Sequence, residues 1–317
     1  MALCYLCLEN ITDSNRTIEH IIPSCIDGRL TSDLLICSKC NNDSGTSIDA
    51  ELCYTLNPIS LYYQRTGKQR SPNSLVVNSS TGEKVLLSPT HLNASGWTIR
   101  NLDPTHGIDA EGNKTLSAGT EKRAKQELDK IRKSLINGEK IEIISTRAEF
   151  TQASASEPVR FTLYDFDDNL LLRSACKVAA NYFVHSKYDA ELINKLRMFI
   201  LDGSIENLYS WVLQLNISKQ LFPGKVYHLI SLNVDQKQRV LYAYLEFYSA
   251  VGFVILLNSN YKGEKIESTY LFDVLTKQEV YVNVPVIISG SDIINHILQK
   301  PKDIIVELVY LKTTGTQ

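Results

Sequence analysis

Three short motifs near the N-terminus decide the fold of this part of the chain: Cys4-Tyr5-Leu6-Cys7, Glu19-His20-Ile21-Ile22-Pro23 and Cys37-Ser38-Lys39-Cys40-Asn41-Asn42. In each Cys-x2-Cys pair, a tight turn directs two sulfur atoms towards one point, and two such pairs complete the tetrahedral shell that Zn²⁺ prefers. Cys4, Cys7, Cys37 and Cys40 are therefore predicted to bind a structural zinc ion. The segment is too short to fold on an apolar core alone, so bound zinc would stabilise it directly.

The composition is that of an ordinary water-soluble protein. The chain has 317 residues, of which 33 are basic and 35 acidic, and 44% are hydrophobic, which is enough to bury a core. The net charge of −2 excludes a protein that coats nucleic acid through a globally basic surface, but it is compatible with a local basic patch. No apolar run is long enough to span a membrane, so no membrane partner is expected.

The first residues of the sequence predict that the protein is not secreted. The first residues lack the basic and then apolar pattern of a signal peptide, so we expect a cytoplasmic protein without disulfide bonds. Since four sulfur atoms complete a zinc shell, Cys25 and Cys53 are interpreted as thiols of the core.

The segment between the cysteine pairs carries residues suited to hydrolysis. Cleavage of a phosphodiester needs a base that activates water and a cation at the scissile phosphate. His20 is a candidate base, while the carboxylate of Glu19 and the amide oxygen of Asn41 suit a hard, hydrated ion such as Mg²⁺. Adjacent side chains on an extended segment point in opposite directions unless the backbone bends. We therefore expect a short β-hairpin followed by a helix, with Asn41 near the start of that helix.

These motifs resemble the HNH, or ββα-metal, nuclease family in its four-cysteine zinc-bound form. The matching elements cover residues 1–55 and are Cys-x2-Cys, Glu-His-x-x-Pro, Gly28, Ile-Cys-x-x-Cys-Asn-Asn, Gly45 and Ile48-Asp49. The resemblance implies that His20 is the general base and that Glu19 and Asn41 hold a catalytic Mg²⁺ or Mn²⁺ ion. It also implies an endonuclease that acts on nucleic acid, DNA rather than RNA, and leaves a 5′ phosphate.

One element of the family pattern has no match in this sequence. The middle asparagine, which braces the loop that carries the histidine, is replaced by a Thr31-Ser32-Asp33 segment. Ser32 or Asp33 is the candidate for an equivalent hydrogen bond to the backbone. Asn42 and Asp49 are interpreted as caps or braces of the following helix rather than as metal ligands.

Contact with nucleic acid requires basic residues, because residues 1–50 carry a formal charge of −4. The predicted phosphate contacts are Lys39, Arg65, Lys68 and Arg70. The basic face of a helix predicted over 120–136 has two open interpretations, a solvated face or a face that contacts phosphates.

The fold class is predicted to be α+β, with a small zinc-bound ββα-metal module followed by a larger α+β region that contains an antiparallel sheet. The predicted domains are the HNH-like module (1–56), a linker with a middle α/β region (57–150), and a C-terminal α+β domain (151–317). In the middle region we predict a hairpin (74–77 and 84–87, with a turn at 80–82), a loop (88–116) and a strand (141–144). In the last region the hydrophobic periodicity predicts helices through 171–182 and 192–199 and strands at 226–232, 240–248, 253–257, 270–274 and 280–284.

Three hypotheses on function remain open at this level. The first is a metal-dependent endonuclease, with a role in restriction or anti-phage defence that rests on analogy with chains of similar layout. The second is a zinc-dependent module that binds nucleic acid without cleaving it. The third is a latent nuclease that is activated when the C-terminal domain binds a ligand or a partner protein. That domain would regulate the nuclease, form a homodimer or select the target.

Overall fold

A computed structural model describes residues 2–63, 75–78, 84–89, 97–101, 105–108, 110–112, 114–117, 121–134, 159–163, 169–205, 209–212, 215–296 and 304–308. The chain divides into two compact units, one formed by residues 1–63 with 162–311 and the other by residues 64–161 with 312–317. The predicted domain boundaries separate the N-terminal module from the C-terminal region, whereas in the structure these two parts pack together as one unit. Within the described residues, no helix combines the length and the apolar character that crossing a membrane requires.

The N-terminal module has the predicted order of a hairpin followed by a helix. Strand β1 (Glu19–His20) pairs antiparallel with strand β2 (Thr31–Ser32), with Glu19 opposite Ser32 and His20 opposite Thr31. Helix α1 (Ser38–Gly45) and the longer helix α2 (Ile48–Tyr63) follow. The apolar residues that flank the two strands are buried beneath the hairpin, namely Ile21, Ile22, Leu35 and Ile36.

The second unit contains two small antiparallel sheets and a helix. Strands β3 (Leu75–Asn78), β4 (Lys84–Pro89) and β5 (Trp97–Asn101) form one sheet, and β6 (Thr105–Ile108) pairs with β7 (Lys114–Ser117). Helix α3 (Glu121–Ser134) follows.

The outcome of the predictions for this unit is mixed. The hairpin and the helix are confirmed, but the loop predicted over 88–116 is wrong because β5, β6 and β7 lie there. Their backbones pair with neighbouring strands, which a composition rich in Asn, Gly and Thr does not prevent. Lys130 and Arg132 of α3 pair with acids three residues earlier, as on a solvated face. The predicted strand at 141–144 and the turn at 80–82 lie outside the described residues.

The larger unit continues with helices and a six-stranded sheet. Strand β8 (Val159–Leu163) spans the boundary between the units at residues 161 and 162. The elements that follow are α4 (Asn169–His185), α5 (Asn194–Leu201), β9 (Ser210–Val212), α6 (Ile217–Leu221), β10 (Tyr227–Asp235), β11 (Val240–Phe247), β12 (Val251–Asn258), β13 (Glu267–Asp273), β14 (Gln278–Glu279), α7 (Gly290–His296) and β15 (Ile304–Leu308). The sheet order is β14-β13-β10-β11-β12-β9, with every pair antiparallel, and β8 pairs separately with β15.

The antiparallel sheet is confirmed, but it is not a simple meander. The chain steps from β10 to β11 to β12 as predicted, and β13 then pairs with β10 on the other side instead of adding to β12. The strand predicted at 280–284 is wrong, since β14 ends at Glu279. Val284 and Val286 are buried in the core that covers the sheet, so their alternation reflects packing of an irregular segment. Strand β9 was not predicted, because its three residues are too few to show a periodic pattern.

Helix α4 lies at the centre of the larger unit. It packs against α2 of the N-terminal module, against α5, and against strands β9 to β12 of the sheet. Because it is covered on several sides, its polar residues Ser174, Lys177 and Asn181 are as buried as its apolar ones. A buried lysine requires an acidic partner, and this partner comes from the N-terminal module.

Candidate zinc centre and hydrolytic site

The four predicted zinc ligands meet at one point. The sulfur atoms of Cys4, Cys7, Cys37 and Cys40 all lie within 4.8 Å of one another. The closest recorded approach is 3.7 Å, between Cys7 Sγ and Cys37 Sγ, one from each pair. Four thiols without a carboxylate form the donor set of a structural zinc site that leaves no position open for substrate. The cluster therefore fits zinc, as the spacing predicts.

Backbone hydrogen bonds hold both cysteine pairs in place. In the first pair, the Cys7 N–H donates to Cys4 Sγ over 3.5 Å, and the Leu8 N–H closes the turn on Cys4 O over 2.8 Å. Leu8 adopts a left-handed φ of 66°, which the tight turn requires. In the second pair, Cys37 is the N-cap of α1, so Cys40 and Asn41 sit on a helix whose first turn is fixed by the metal ligands.

Asn41 connects this helix to the hairpin. Its Nδ2 donates to Thr17 Oγ1 over 3.1 Å and to Ile18 O over 3.2 Å, just before β1 begins. The side-chain amide therefore braces the entry to the strand that carries His20. The metal role predicted for Asn41 uses the other amide atom, Oδ1, and it stays a prediction.

His20 is half-buried on β1. Burial lowers its pKa below the ordinary value, and the positive charges of Arg29 and Lys177 lower the pKa further. The imidazole is therefore neutral at neutral pH, which is the form that accepts a proton from water. Arg29 is exposed in the loop before β2, and the sequence motifs did not single it out as a site residue.

Glu19 lies next to His20 in the chain but does not share its surroundings. Its carboxylate is buried, and Oε1 accepts hydrogen bonds from Lys177 Nζ over 2.6 Å and from Asn181 Nδ2 over 2.8 Å. A divalent ion at this oxygen would face the lysine ammonium at close range. Glu19 and Asn41 therefore do not fit a catalytic divalent ion as a pair in this arrangement, and the metal role of Glu19 stays a prediction.

Lys177 is shared between two carboxylates. Its Nζ also lies 2.6 Å from Asp49 Oδ2 in the first turn of α2. Burial alone would lower the pKa of Lys177, but Asp49 and Glu19 outweigh it and the pKa is raised. The lysine is therefore charged. Asp49 braces its helix by an ion pair with α4, in line with the structural role predicted for it.

The loop that connects β1 and β2 is tightly folded. A Cβ atom at Gly28 would meet Ile22 O at a distance that no side chain tolerates, which explains the glycine in the motif. The predicted substitutes for the missing asparagine bond elsewhere: Ser32 Oγ accepts from the Leu34 N–H over 3.2 Å, and Asp33 pairs with Arg16 at 3.3 Å.

The prediction for two cysteines is wrong. Cys25 and Cys53 form a disulfide bond that joins the 3-10 helix Ser24–Ile26 to α2, with a Cα–Cα distance of 5.8 Å. The pairing arises because α2 packs against the segment after β1, and a sequence separation of 28 residues does not reveal this packing.

Among the predicted phosphate contacts, one can be placed. Lys39 is exposed in the first turn of α1, beside the zinc ligands. Arg65, Lys68 and Arg70 lie outside the described residues.

Sequence reasoning did not single out Lys177 and Asn181, whose side chains contact Glu19 and His20 O. They lie four residues apart on one face of α4, in a helix otherwise predicted to be core. Polar residues at this spacing on an apolar helix face were the available signal.

A zinc-binding ββα module with a histidine on its hairpin defines the class of the N-terminal part. In agreement with this geometry, residues 4–57 match the family model described as HNH endonuclease. The N-terminal module is therefore an HNH module, and the match covers about one sixth of the chain. No curated protein and no solved structure matches the chain.

Proposed function

We propose that this protein is an endonuclease that hydrolyses phosphodiester bonds in double-stranded DNA, with a role in restriction or anti-phage defence. The observation that carries the proposal is the placement of His20. The histidine lies on a hairpin within an HNH module, and the entry to its strand is braced by Asn41 of α1. The lowered pKa of His20 keeps the imidazole neutral.

In the proposed reaction, neutral His20 takes a proton from a water molecule. The resulting hydroxide attacks the phosphorus in line with the P–O3′ bond, which breaks to leave a 5′ phosphate. The departing 3′ oxygen takes a proton from solvent water and becomes a 3′ hydroxyl. HNH nucleases use divalent metals, but we assign no step to such an ion here because the carboxylate of Glu19 is paired with Lys177. Whether cleavage requires Mg²⁺ or Mn²⁺ is left to the assay.

The proposed path of the DNA passes along α1, with this helix towards the minor groove. Lys39 on α1 and Arg29 on the loop before β2 are exposed bases in this module, and each is suited to contact a phosphate. These contacts would offset the acidic character of residues 1–50.

The proposal is tested by incubating the full chain with supercoiled plasmid, linear DNA and RNA, with Mg²⁺, with Mn²⁺ and with a chelator. We expect nicking of plasmid by the wild-type chain and a loss of about 10²-fold or more in His20→Ala, because the general base is removed. The zinc content should be unchanged. His106→Ala is the matched control, since this exposed histidine lies on β6 in the other unit.

Cleavage that survives in His20→Ala would contradict the mechanism. Binding of DNA by the wild-type chain without cleavage under any metal condition would support the non-catalytic module or the latent nuclease instead.

A further inference from the structure

A buried charged network joins the HNH module to helix α4, far along the chain. Lys177 Nζ lies 2.6 Å from Glu19 Oε1 and 2.6 Å from Asp49 Oδ2, and Asn181 Nδ2 donates to the same oxygen of Glu19 over 2.8 Å. Tyr5, inside the first zinc-binding turn, donates its hydroxyl to Asn181 Oδ1 over 2.7 Å. The network therefore connects the zinc site, β1 and α2 to one face of α4.

Burial decides what this network does. The side chains of Lys177 and Glu19 are 2% and 4% exposed, so neither is available to nucleic acid or to a hydrated ion. If Glu19 turned towards a metal ion, Lys177 would keep only Asp49 as a partner inside the protein. The charge of Lys177 would stay paired with Asp49, but Asn181 Nδ2 would lose its 2.8 Å acceptor on Glu19. A buried donor without its acceptor is unfavourable, so the paired arrangement belongs to the folded state. This reasoning favours Glu19 as an anchor of β1.

The anchor acts directly on the strand that carries the base. Glu19 and His20 are consecutive in β1, so their side chains leave the strand on opposite sides. Asn181 Nδ2 also approaches His20 O at 3.4 Å. Helix α4 therefore holds the strand by its backbone and by the side chain next to His20.

Two other contacts hold the rest of the module, and neither involves strand β1. Arg197 of α5 donates to Leu6 O over 2.8 Å, and Lys277 pairs with Asp27 at 2.7 Å. The first contact holds the zinc-binding turn and the second holds the loop after β1. On α4, the side chains that contact Glu19 and His20 O belong to Lys177 and Asn181.

We propose that Lys177 and Asn181 are positioning residues of the nuclease site, which hold the Glu19–His20 strand in the geometry that hydrolysis needs. The proposal rests on the proposed function and extends it, because it makes α4 a part of the catalytic unit. Neither residue touches nucleic acid, so their loss should lower kcat and leave KM for DNA little changed. A displacement of about 1 Å costs as much as 10²-fold in rate, so a loss of tenfold or more in kcat is expected.

The test uses the full chain with Lys177→Met, which keeps the length of the side chain and removes its charge. Asn181→Leu is the second variant, because it has a similar volume and leaves the ion pairs in place if Lys177→Met fails to fold. Lys195→Met is the control, since it makes the same change at an exposed lysine of α5. Plasmid cleavage is measured as kcat and KM at a series of Mg²⁺ concentrations.

Hydrogen exchange of the peptide that contains residues 18–32 is measured on the same samples. The proposal expects faster exchange in this peptide in both variants, with wild-type exchange across β10, β11 and β12 and an unchanged zinc content. This readout needs no enzymatic activity, so it decides the positioning role even if the wild-type chain proves not to be a nuclease.

Two results would overturn the proposal. If both variants keep the wild-type kcat and the wild-type hydrogen exchange, the network does not position the Glu19–His20 strand. A rise in kcat at a lower Mg²⁺ requirement in Lys177→Met would show that the lysine blocks a metal site on Glu19, as in a latent nuclease.

Discussion

At the scale of single residues, His228 shows how burial fixes a protonation state. It lies in the centre of the sheet, where its Nε2–H donates to Ile26 O over 2.8 Å and its Nδ1 accepts from the Tyr248 N–H over 3.3 Å. This pattern assigns the neutral tautomer. Burial lowers the pKa of His228 to about 4, although Asp27 and the bond to Ile26 act in the opposite direction.

This lowered pKa predicts how stability depends on pH. The unfolded chain takes up a proton at His228 near pH 6.5 and the folded chain only near pH 4. The neutral His228 therefore makes its full contribution to the free energy of unfolding above pH 6.5. This contribution, about 3 kcal/mol in total, is lost as the pH falls towards 4. In urea unfolding, we expect the free energy of unfolding to decrease less between these pH values in His228→Gln than in the wild type. Equal losses in both proteins would contradict the assignment.

A second prediction at this scale concerns Lys39 and Arg29, the exposed bases of the HNH module. If each contacts a phosphate, Lys39→Ala and Arg29→Ala should weaken DNA binding and reduce the slope of log K against log salt by about 1 each. Fluorescence anisotropy over a salt series measures this slope. Lys219→Ala, at an exposed lysine of α6, is the control. Unchanged slopes would place the DNA elsewhere.

At the scale of elements, the two cysteine-containing turns organise the short hairpin. Strands of two residues each are too short to be stable alone. The Tyr5 N–H bonds to Leu35 O over 3.0 Å, and the Ser38 N–H bonds to Asn15 O over 2.8 Å, so both cysteine-containing turns clamp the ends of the hairpin.

Removal of zinc should therefore release the hairpin together with the metal. We expect a strong chelator, or Cys37→Ser, to lower the melting temperature of the chain and to abolish cleavage, because β1 loses the support of α1. Differential scanning calorimetry combined with metal analysis measures both effects. Cys176→Ser provides the control, since this buried thiol lies on α4 outside the zinc cluster. Full activity of zinc-free protein would contradict a structural role of the metal.

At the scale of the whole molecule, the HNH module and the C-terminal region of the larger unit share one interior. Glu19 has its partners on α4, Asp27 has Lys277 as its partner, and Ile26 O is bonded by His228. The family match ends at residue 57, whereas the packing of the module extends into residues 169–296.

This shared interior predicts the behaviour of a fragment that ends at Tyr63. Such a fragment should bind one zinc ion, because the four cysteines lie within it, but it should lack cooperative thermal unfolding. The reason is that the buried face of α2 and the anchor of β1 depend on α4. Circular dichroism and amide NMR measure these properties. A fragment with cooperative unfolding and dispersed amide signals would show that the module folds by itself.

The sequence determined the local part of this protein. The spacing of Cys4, Cys7, Cys37 and Cys40 was sufficient for the zinc cluster, because a Cys-x2-Cys turn places its sulfur atoms by local geometry alone. The order of hairpin and helix followed from the same motifs. In the C-terminal region, the periodicity of the hydrophobic residues predicted α4 and β10 to β12, because this periodicity indicates which face of an element is buried.

Only the tertiary structure decided which distant residues meet. The ion pair between Glu19 and Lys177 spans 158 residues, and the disulfide between Cys25 and Cys53 depends on how α2 packs. The short strand β9 and the position of β13 beside β10 depend in the same way on partners elsewhere in the chain. Such contacts are fixed by the burial of whole elements and not by local spacing. The sequence therefore predicts the HNH motif, while the contact of α4 with strand β1 is a property of the folded chain.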